Sequence, residues 1–264
     1  MPRILDVTAY LERIAPPELQ ESYDNAGLIV GDPAAEVTGV LTSLDCTEEI
    51  VAEAVARGCN LVVAHHPIVF RGLKRLNGAN YVERTVIAAI RAGVALYAIH
   101  TNLDNVRHRG VNERIAQTLG LTDLRLLKPK NEAGTVGSGM VGELPEAMGE
   151  RDFLARLRER MQTPVVRHTE LLGREVRTVA VAGGAGGFLL ADAKAAGAQA
   201  FVTADYKYHE FFDAEGELVI CDIGHYESEQ FTTQLLAELL TKEFTTFAVL
   251  STERNTNPVR YAFG

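Results

Sequence analysis

Short apolar runs followed at once by polar residues are the main pattern of this chain. Each run is only a few residues long and rich in branched or aromatic side chains, which predicts buried β-strands. The clearest of them are Leu61–Ala64, Val94–Ile99, Phe201–Thr203 and Leu218–Ile223. Between such runs, apolar residues recur at helical spacing, as they do within Ile4–Ile14. Strands and helices are therefore predicted to alternate along the sequence.

The order of predicted elements repeats in the two parts of the sequence. A strand at Val40–Leu44 is followed by a helix that a glycine ends, and then by the strand Leu61–Ala64. Thr178–Ala182, a second helix ended by glycine and Phe201–Thr203 repeat this order. Such alternation is typical of parallel βαβ units with right-handed crossovers. We therefore predict an α/β fold of two similar three-layer halves that face one another, with their strand ends in one cleft.

The segment from Leu126 to Glu150 differs in composition from its surroundings. It is rich in glycine and also contains Pro129 and Pro145. This composition predicts a linker that enters a short strand, and a domain boundary at the start of the linker. The first half is then expected to comprise residues 1–125 and the second half residues 126–264.

Histidines concentrate at the ends of the predicted strands. His65 and His66 follow Leu61–Ala64 directly, and Pro67 ends that strand because proline cannot donate a ladder hydrogen bond. Of the seven histidines, five lie at or just beyond such ends: His65, His66, His100, His209 and His225. Ligands bind at the carboxyl ends of strands in open α/β sheets. A structural role for the adjacent pair is an alternative, with one imidazole bonded to a loop carbonyl and the other exposed.

Carboxylates near these histidines complete a candidate metal site. In the arrangement of facing halves, His65, His66 and Asp104 come from the first half, and His225 and Glu229 come from the second. His225 and Glu229 are four residues apart, so a helix that has begun by then places both on one face. These donors suit zinc, manganese or iron and could hold two divalent ions, which together activate water and bind charged substrate oxygens. Alternatively, Glu229 and the nearby Glu227 are solvated acids at a helix start.

The composition argues against several functional classes. A formal net charge of −9 provides no electrostatic attraction for nucleic acid. No apolar run approaches the roughly 20 residues that cross a bilayer, and charges at Arg3 and Asp6 interrupt the N-terminus before a signal sequence develops. Cys46, Cys59 and Cys221 lack C-x-x-C spacing. We therefore expect a cytoplasmic protein with reduced buried thiols and without membrane or nucleic-acid partners.

A glycine-rich run at Gly183–Gly187 follows a predicted strand and resembles a nucleotide-binding loop at first sight. The dinucleotide fingerprint G-x-G-x-x-G would need a glycine where Leu189 stands, and a P-loop would need Gly-Lys at Phe188 and Leu189. Both patterns fail. A tight turn that lets the next helix pack closely is the preferred interpretation. Binding of a phosphate by the backbone N–H groups is the weaker alternative.

Five segments, taken in order, resemble the GTP cyclohydrolase 1 type 2 homologues, which are NIF-like proteins with a dinuclear metal site. These segments are Tyr23–Gly31, His65–Pro67, His100–Asp104, Thr203–His209 and Gly224–Glu229. The chain departs from the family at Tyr23, where the family often has Trp, and at Ala204, where it often has Gly. It also lacks the long middle insertion of some members.

The resemblance implies two divalent metal ions per chain, held by the same five residues: His65, His66, Asp104, His225 and Glu229. It also implies a toroidal homohexamer and a metal-dependent hydrolase that acts on a nucleotide or another phosphate-bearing or heterocyclic small molecule through metal-activated water. His209 is the candidate for proton transfer, because it is a strand-end histidine outside the ligand set. A structural role for His209 and a non-catalytic scaffold or regulatory function for the protein are the alternatives. The roles of His100 and Glu227 stay open.

Overall fold

The computed structural model describes residues 1–262, which form two compact units. The first unit comprises Met1–Leu103 and Thr232–Val259. The second comprises Asp104–Phe231 and the C-terminal residues from Arg260. Each unit has its own β-sheet and its own apolar core.

Helices and strands alternate through most of the described part of the chain. The α-helices are α1 (Ile4–Ile14), α2 (Glu48–Ala56), α3 (Tyr81–Ala92), α4 (Thr101–Asp104), α5 (Val111–Leu119), α6 (Glu150–Met161), α7 (Leu190–Ala195), α8 (His225–Glu229) and α9 (Thr232–Glu243). The strands are β1 (Gly27–Val30), β2 (Gly39–Ser43), β3 (Leu61–Ala64), β4 (Ala95–Ala98), β5 (Thr122–Pro129), β6 (Gly137–Gly149), β7 (Arg167–His168), β8 (Glu175–Val181), β9 (Ala200–Thr203), β10 (Val219–Asp222) and β11 (Ala248–Ser251). Short 3-10 helices occur at Pro17–Leu19, Gly187–Leu189 and Tyr208–Ala214.

The sheet of the first unit has the strand order β1-β4-β3-β2-β11. All pairs are parallel except β1 with β4. Side chains alternate across each strand, so Leu41 and Thr42 of β2 point to opposite faces. Leu41 belongs to the core that α2 and α3 cover. Thr42 donates through its hydroxyl to the carbonyl of Thr233 at the start of α9 (2.9 Å). The unit therefore has helices on both faces of its sheet.

The sheet of the second unit repeats the central topology of the first. Its order is β5-β6-β8-β9-β10-β7, in which β8, β9 and β10 are parallel and β7 pairs antiparallel with β10. The trio β2-β3-β4 with antiparallel β1 is its counterpart in the first unit. The predicted α/β fold of two similar parts is thus confirmed.

The glycine-rich segment is not the predicted linker, and this prediction was wrong. β5 and β6 form an antiparallel hairpin there, and β6 pairs on its other side with β8. Three of its glycines, Gly137, Gly139 and Gly142, lie at close contacts: a Cβ at Gly142 would lie 2.6 Å from Leu124 Cδ2 and 2.7 Å from the carbonyl oxygen of Thr122. Glycine fits here because neighbouring strand atoms leave no room for a Cβ, and not because the backbone needs flexibility.

The bounds of the two compact units differ from those of the predicted halves, which were residues 1–125 and 126–264. The C-terminal strand β11 pairs in parallel with β2 and so belongs to the first sheet. Arg57 reinforces this pairing by donating to the carbonyl of Ser251 at 3.0 Å. β5 begins at Thr122 and pairs with β6, which places it in the second unit.

Two observations concern the predicted buried thiols and the predicted absence of a membrane span. Cys46, Cys59 and Cys221 are free thiols, and all three are buried. Burial raises the pKa of the Cys46 thiol to about 12, so this side chain behaves as a small apolar residue. Among residues 1–262, no helix combines the length and the apolar character that a membrane span requires.

Candidate metal sites of the two units

Three histidines of the first unit meet at the ends of two neighbouring strands. His65 and His66 follow β3, and His100 follows β4, which is parallel to β3 with Ala64 opposite Ala98. The ring centroid of His65 lies 4.9 Å from that of His66 and 5.2 Å from that of His100. One potential ligand atom from each ring lies within 4.8 Å of the other two. These three imidazoles could hold a metal ion.

Hydrogen bonds to Nδ1 determine which nitrogen of each ring is available as a ligand. The Nδ1 atom of His65 lies 2.8 Å from the carbonyl oxygen of Ile99, which can only accept, so the hydrogen is on Nδ1. His66 Nδ1 contacts Asp45 Oδ1 and His100 Nδ1 contacts Asp24 Oδ1, both at 2.8 Å. A neutral imidazole protonated at Nδ1 has its lone pair on Nε2, which suits metal coordination.

Asp24 is held as a carboxylate by a group of hydrogen bonds. Its side chain is fully buried, and burial alone would raise its pKa. Hydrogen bonds from His100, from Thr101 and from the backbone N–H of Asn25 outweigh that effect and lower the pKa of Asp24 to about 2. Asp24 therefore stays an acceptor for His100 Nδ1.

In the second unit, helix α8 brings His225 and Glu229 onto one face, as the spacing predicts. His225 Nε2 lies 3.1 Å from Glu229 Oε2, and His225 Nδ1 lies 2.7 Å from Asp205 Oδ2. Burial alone would lower the pKa of His225, but hydrogen bonds to Asp205 and Glu229 and their negative charges raise it to about 11. The hydrogen bond from His225 in turn lowers the pKa of Asp205. An imidazole and a carboxylate directed at each other form a donor pair that suits a divalent cation.

Glu227 and Glu229 are not solvated acids at a helix start. Both are buried, at 5% and 3% exposure respectively. Glu229 contacts His225, and Glu227 shares a hydrogen bond with Tyr261, whose pKa is raised mainly by burial and also by the charge of Glu227. The alternative interpretation of these acids is therefore wrong.

Asp104 ends helix α4 and is connected to the glycine-rich turn through Asn112. The amide of Asn112 donates to the carbonyl oxygen of Asp104 (3.0 Å) and accepts from the N–H of Gly183 (3.0 Å). Gly183 in turn lies against Glu229, since a Cβ there would be 3.1 Å from Glu229 Oε1. This connection fixes the backbone of Asp104 relative to the turn that supports Glu229.

The Gly183–Gly187 run is a tight turn in which most N–H groups bond within the protein. Gly184 N–H donates to Ser228 Oγ, and Gly186 N–H donates to Thr203 Oγ1, both at 3.0 Å. Gly183 N–H also donates to Asn112. Three N–H groups of the turn therefore already have acceptors within the protein. The weaker alternative, phosphate binding by the same N–H groups, is therefore not supported.

We expect Gly184→Ala to weaken metal binding. Gly184 has φ +59°, and an added Cβ would lie 2.7 Å from Glu229 Oε1 and 3.1 Å from His225 Cε1, so the ligand pair must move. Gly173→Ala is the matched control, because Gly173 has φ +71° with nothing within 4 Å of an added Cβ. Both variants should lose about 1–2 kcal/mol of stability, because a residue with a Cβ is strained in the left-handed region. Only Gly184→Ala should also lose metal affinity in a titration; equal affinities would contradict the assigned contact.

His209, the candidate for proton transfer, lies in the 3-10 helix Tyr208–Ala214 and is exposed. Its ring contacts those of Tyr208 (5.1 Å between centroids) and Phe212 (6.4 Å). It belongs to none of the metal-capable groups among the described residues. Its catalytic role stays a prediction.

The sequence placed His100 at a strand end but outside the predicted ligand set, and the contacts of Asp24, Asp45 and Asp205 with histidine Nδ1 atoms were not predicted. Asp45 follows β2 and Asp205 follows β9, so both stand where ligand-directed residues are expected in α/β sheets. Asp24 precedes β1. A systematic search for carboxylates next to strand ends could have found them.

The fold and the histidine clusters define an α/β protein with buried groups that could hold a metal ion. Comparison with known protein families assigns this chain to one of them. The chain belongs to the Duf34/NIF3 (NGG1p interacting factor 3) family, whose sequence model matches residues 2–258. The predicted family resemblance is thereby confirmed.

Individual relatives agree with this assignment. The chain is 35% identical over 260 residues to a protein of Lactococcus lactis named GTP cyclohydrolase 1 type 2 homolog, covering 97% of this chain and 98% of that one. A Streptomyces coelicolor protein of the same name is 36% identical over 235 residues, covering 87% and 82%. The crystal structure of a Staphylococcus aureus hypothetical protein superimposes with a TM-score of 0.90 at 31% identity, covering 98% and 99%.

Proposed function

We propose that the protein binds divalent metal ions and is a metal-dependent hydrolase for a nucleotide or another phosphate-bearing or heterocyclic compound. One observation carries the metal-binding part: three imidazoles of the first unit meet with ligand atoms within 4.8 Å, each with Nδ1 engaged by an oxygen. The name GTP cyclohydrolase 1 type 2 homolog, shared by curated relatives, supports the choice of reaction class.

The donors fit a first-row divalent ion such as zinc, iron or manganese. Imidazole nitrogens and carboxylate oxygens are ligands that these metals share. His65, His66 and His100 would hold metal in the first unit, and Glu229 together with His225 or with Asp104 would do so in the second. When bound, such an ion activates water and polarises substrate oxygens. The shared dinuclear centre of His65, His66, Asp104, His225 and Glu229 stays a prediction from the sequence.

A basic loop next to the histidines supports a phosphate-bearing substrate. The ring of Phe70 meets that of His100 edge-on, with centroids 5.5 Å apart. The exposed loop that follows carries Arg71, Lys74 and Arg75 in a protein whose net charge is −9. A local group of cations at a metal-capable cluster can attract a phosphate that the rest of the surface repels.

The decisive experiment measures metal content and turnover on the same protein. After dialysis against trace zinc, iron or manganese, elemental analysis should give two ions per chain, and the loaded protein should hydrolyse at least one member of a nucleotide panel. One ion or fewer per chain contradicts the dinuclear prediction. Two ions without turnover favour the non-catalytic scaffold, an alternative in keeping with a family name that describes a protein interaction.

Charge reversal in the metal-loaded protein tests whether the basic loop contributes to phosphate binding. Arg71→Glu/Lys74→Glu should weaken GTP binding about twofold to thirtyfold, because each of the two exposed charges contributes about 0.2–1 kcal/mol. Guanosine, which lacks phosphates, should bind the variant and the unchanged protein equally in calorimetry. Arg91→Glu/Lys242→Glu is the control, since both residues are exposed on helices of the same unit. A similar loss of GTP affinity in the control would mean that only net charge matters.

Two coarser features of the proposal have their own tests. The toroidal homohexamer implied by the family resemblance should appear as about six times 28.8 kDa in light scattering. Three buried free thiols support residence in a reducing compartment, in keeping with the predicted cytoplasmic location.

A further inference from the structure

Asp45 connects His66 to the C-terminal segment of the first unit. Its Oδ1 lies 2.8 Å from His66 Nδ1, and its Oδ2 accepts a hydrogen bond of 2.6 Å from the hydroxyl of Thr256. The two carboxylate oxygens thus have different partners, which fixes the plane of the carboxylate. Because Thr256 lies beyond β11, the segment that follows the last strand of the unit contributes to the orientation of a histidine at the end of β3.

Asp24 forms the same kind of chain with other residues. One oxygen accepts from His100 Nδ1 (2.8 Å), and the other accepts from both the hydroxyl and the N–H of Thr101. The pattern histidine–aspartate–threonine therefore occurs twice in one unit, built from unrelated parts of the chain. Two independent occurrences at one cluster argue for a shared purpose.

Asp205 holds His225 in the second unit, and it does so from a strained backbone. Its φ of +58° lies in the left-handed region that non-glycine residues rarely adopt. This conformation directs Oδ2 to within 2.7 Å of His225 Nδ1. Strain of this kind persists where the surrounding structure requires it, often at functional sites.

We propose that Asp24, Asp45 and Asp205 are positioning residues that fix the tautomer and the ring orientation of His100, His66 and His225. This proposal rests on the proposed metal-binding function. A carboxylate at Nδ1 holds the hydrogen there, so Nε2 is the nitrogen left for the metal. In His225 that nitrogen faces Glu229 Oε2 at 3.1 Å, a contact that a bound metal ion would replace. With the hydrogen on Nε2 instead, the ligand atom would be blocked. Outer carboxylates of this kind typically change metal affinity by about 10–100-fold.

The surface supplies a matched control for this arrangement. His108 Nδ1 lies 3.1 Å from Glu113 Oε1, but the His108 side chain is 69% exposed and belongs to no metal-capable group among the described residues. Glu113→Gln therefore removes a carboxylate from a histidine outside the candidate sites. A general effect of lost negative charge would appear in this variant as well.

The test compares cobalt(II) affinity of Asp24→Asn, Asp45→Asn and Asp205→Asn with that of Glu113→Gln. We expect about 10–100-fold weaker binding and an altered cobalt absorption spectrum in the three asparagine variants, and neither change in Glu113→Gln. Long-range proton–nitrogen NMR of the metal-free protein should report Nδ1–H for His66, and a tautomer mixture in Asp45→Asn. Unchanged affinity and tautomer in the variants would overturn the positioning role while the metal-binding proposal stands.

A second pair of variants keeps the proposal testable if an asparagine variant fails to fold. Thr256→Val removes only the hydroxyl that orients Asp45, and Thr256→Ser restores it. Cobalt(II) affinity should fall severalfold in Thr256→Val and recover in Thr256→Ser. Equal affinities in both variants would contradict the chain from Thr256 to His66. If the unsubstituted protein binds no cobalt(II), the proposed function fails and this proposal fails with it.

Discussion

His66→Ala and Glu229→Ala should each lower metal affinity by more than about 100-fold while the protein stays folded. The reason is that each change removes a proposed ligand, which costs more than the 10–100-fold expected for an outer partner. His66 lies beyond the end of β3 and Glu229 on the short helix α8, so neither is part of the two apolar cores. Elemental analysis and circular dichroism on the same samples give both readouts.

Two further variants separate a lost ligand from a disturbed structure. Glu229 is 3% exposed, so Glu229→Gln keeps the buried volume while it removes the charge. His168→Ala is the surface control, because the exposed His168 ring bonds only the neighbouring carbonyl of Thr169 among its described hydrogen bonds. Unfolding of His66→Ala or of both Glu229 variants at room temperature would mean that a structural residue had been mistaken for a ligand.

His209→Ala should reduce the hydrolysis rate about 10²–10⁴-fold with metal content unchanged. This is the effect of removing a general acid or base, and histidine serves that role most often. The His209 imidazole is exposed and contacts aromatic rings at Tyr208 and Phe212, so its loss leaves the core intact. Rate and elemental analysis must be measured together on whichever substrate the nucleotide panel identifies.

The possible results for His209 point to different roles. A loss of metal together with activity would make His209 a ligand, and no change in either would make it structural. His108→Ala is the control, since His108 is also exposed and lies in the same unit. A comparable rate loss in that control would remove the argument for His209 as the proton-transfer residue.

Much of the fold was predictable because helices and strands depend on local periodicity. Helix α1 has the predicted bounds Ile4–Ile14. The placement of histidines after β3, β4 and β10 was predictable for the same reason. The pairing of His225 with Glu229 followed from helical spacing alone, since residues four apart share a helix face.

The sequence by itself therefore determined the order of the elements, the repeated βαβ topology and the strand-end histidines, all of which are local patterns. Only the tertiary structure decided that β11 returns to β2, that the glycine-rich segment is a hairpin and that Asp24 and Asp45 contact His100 and His66. Asp24 and His100 are 76 residues apart, and Asp45 and Thr256 are 211 apart. Contacts between such distant residues depend on which strands become neighbours in a sheet, and no local period encodes that choice.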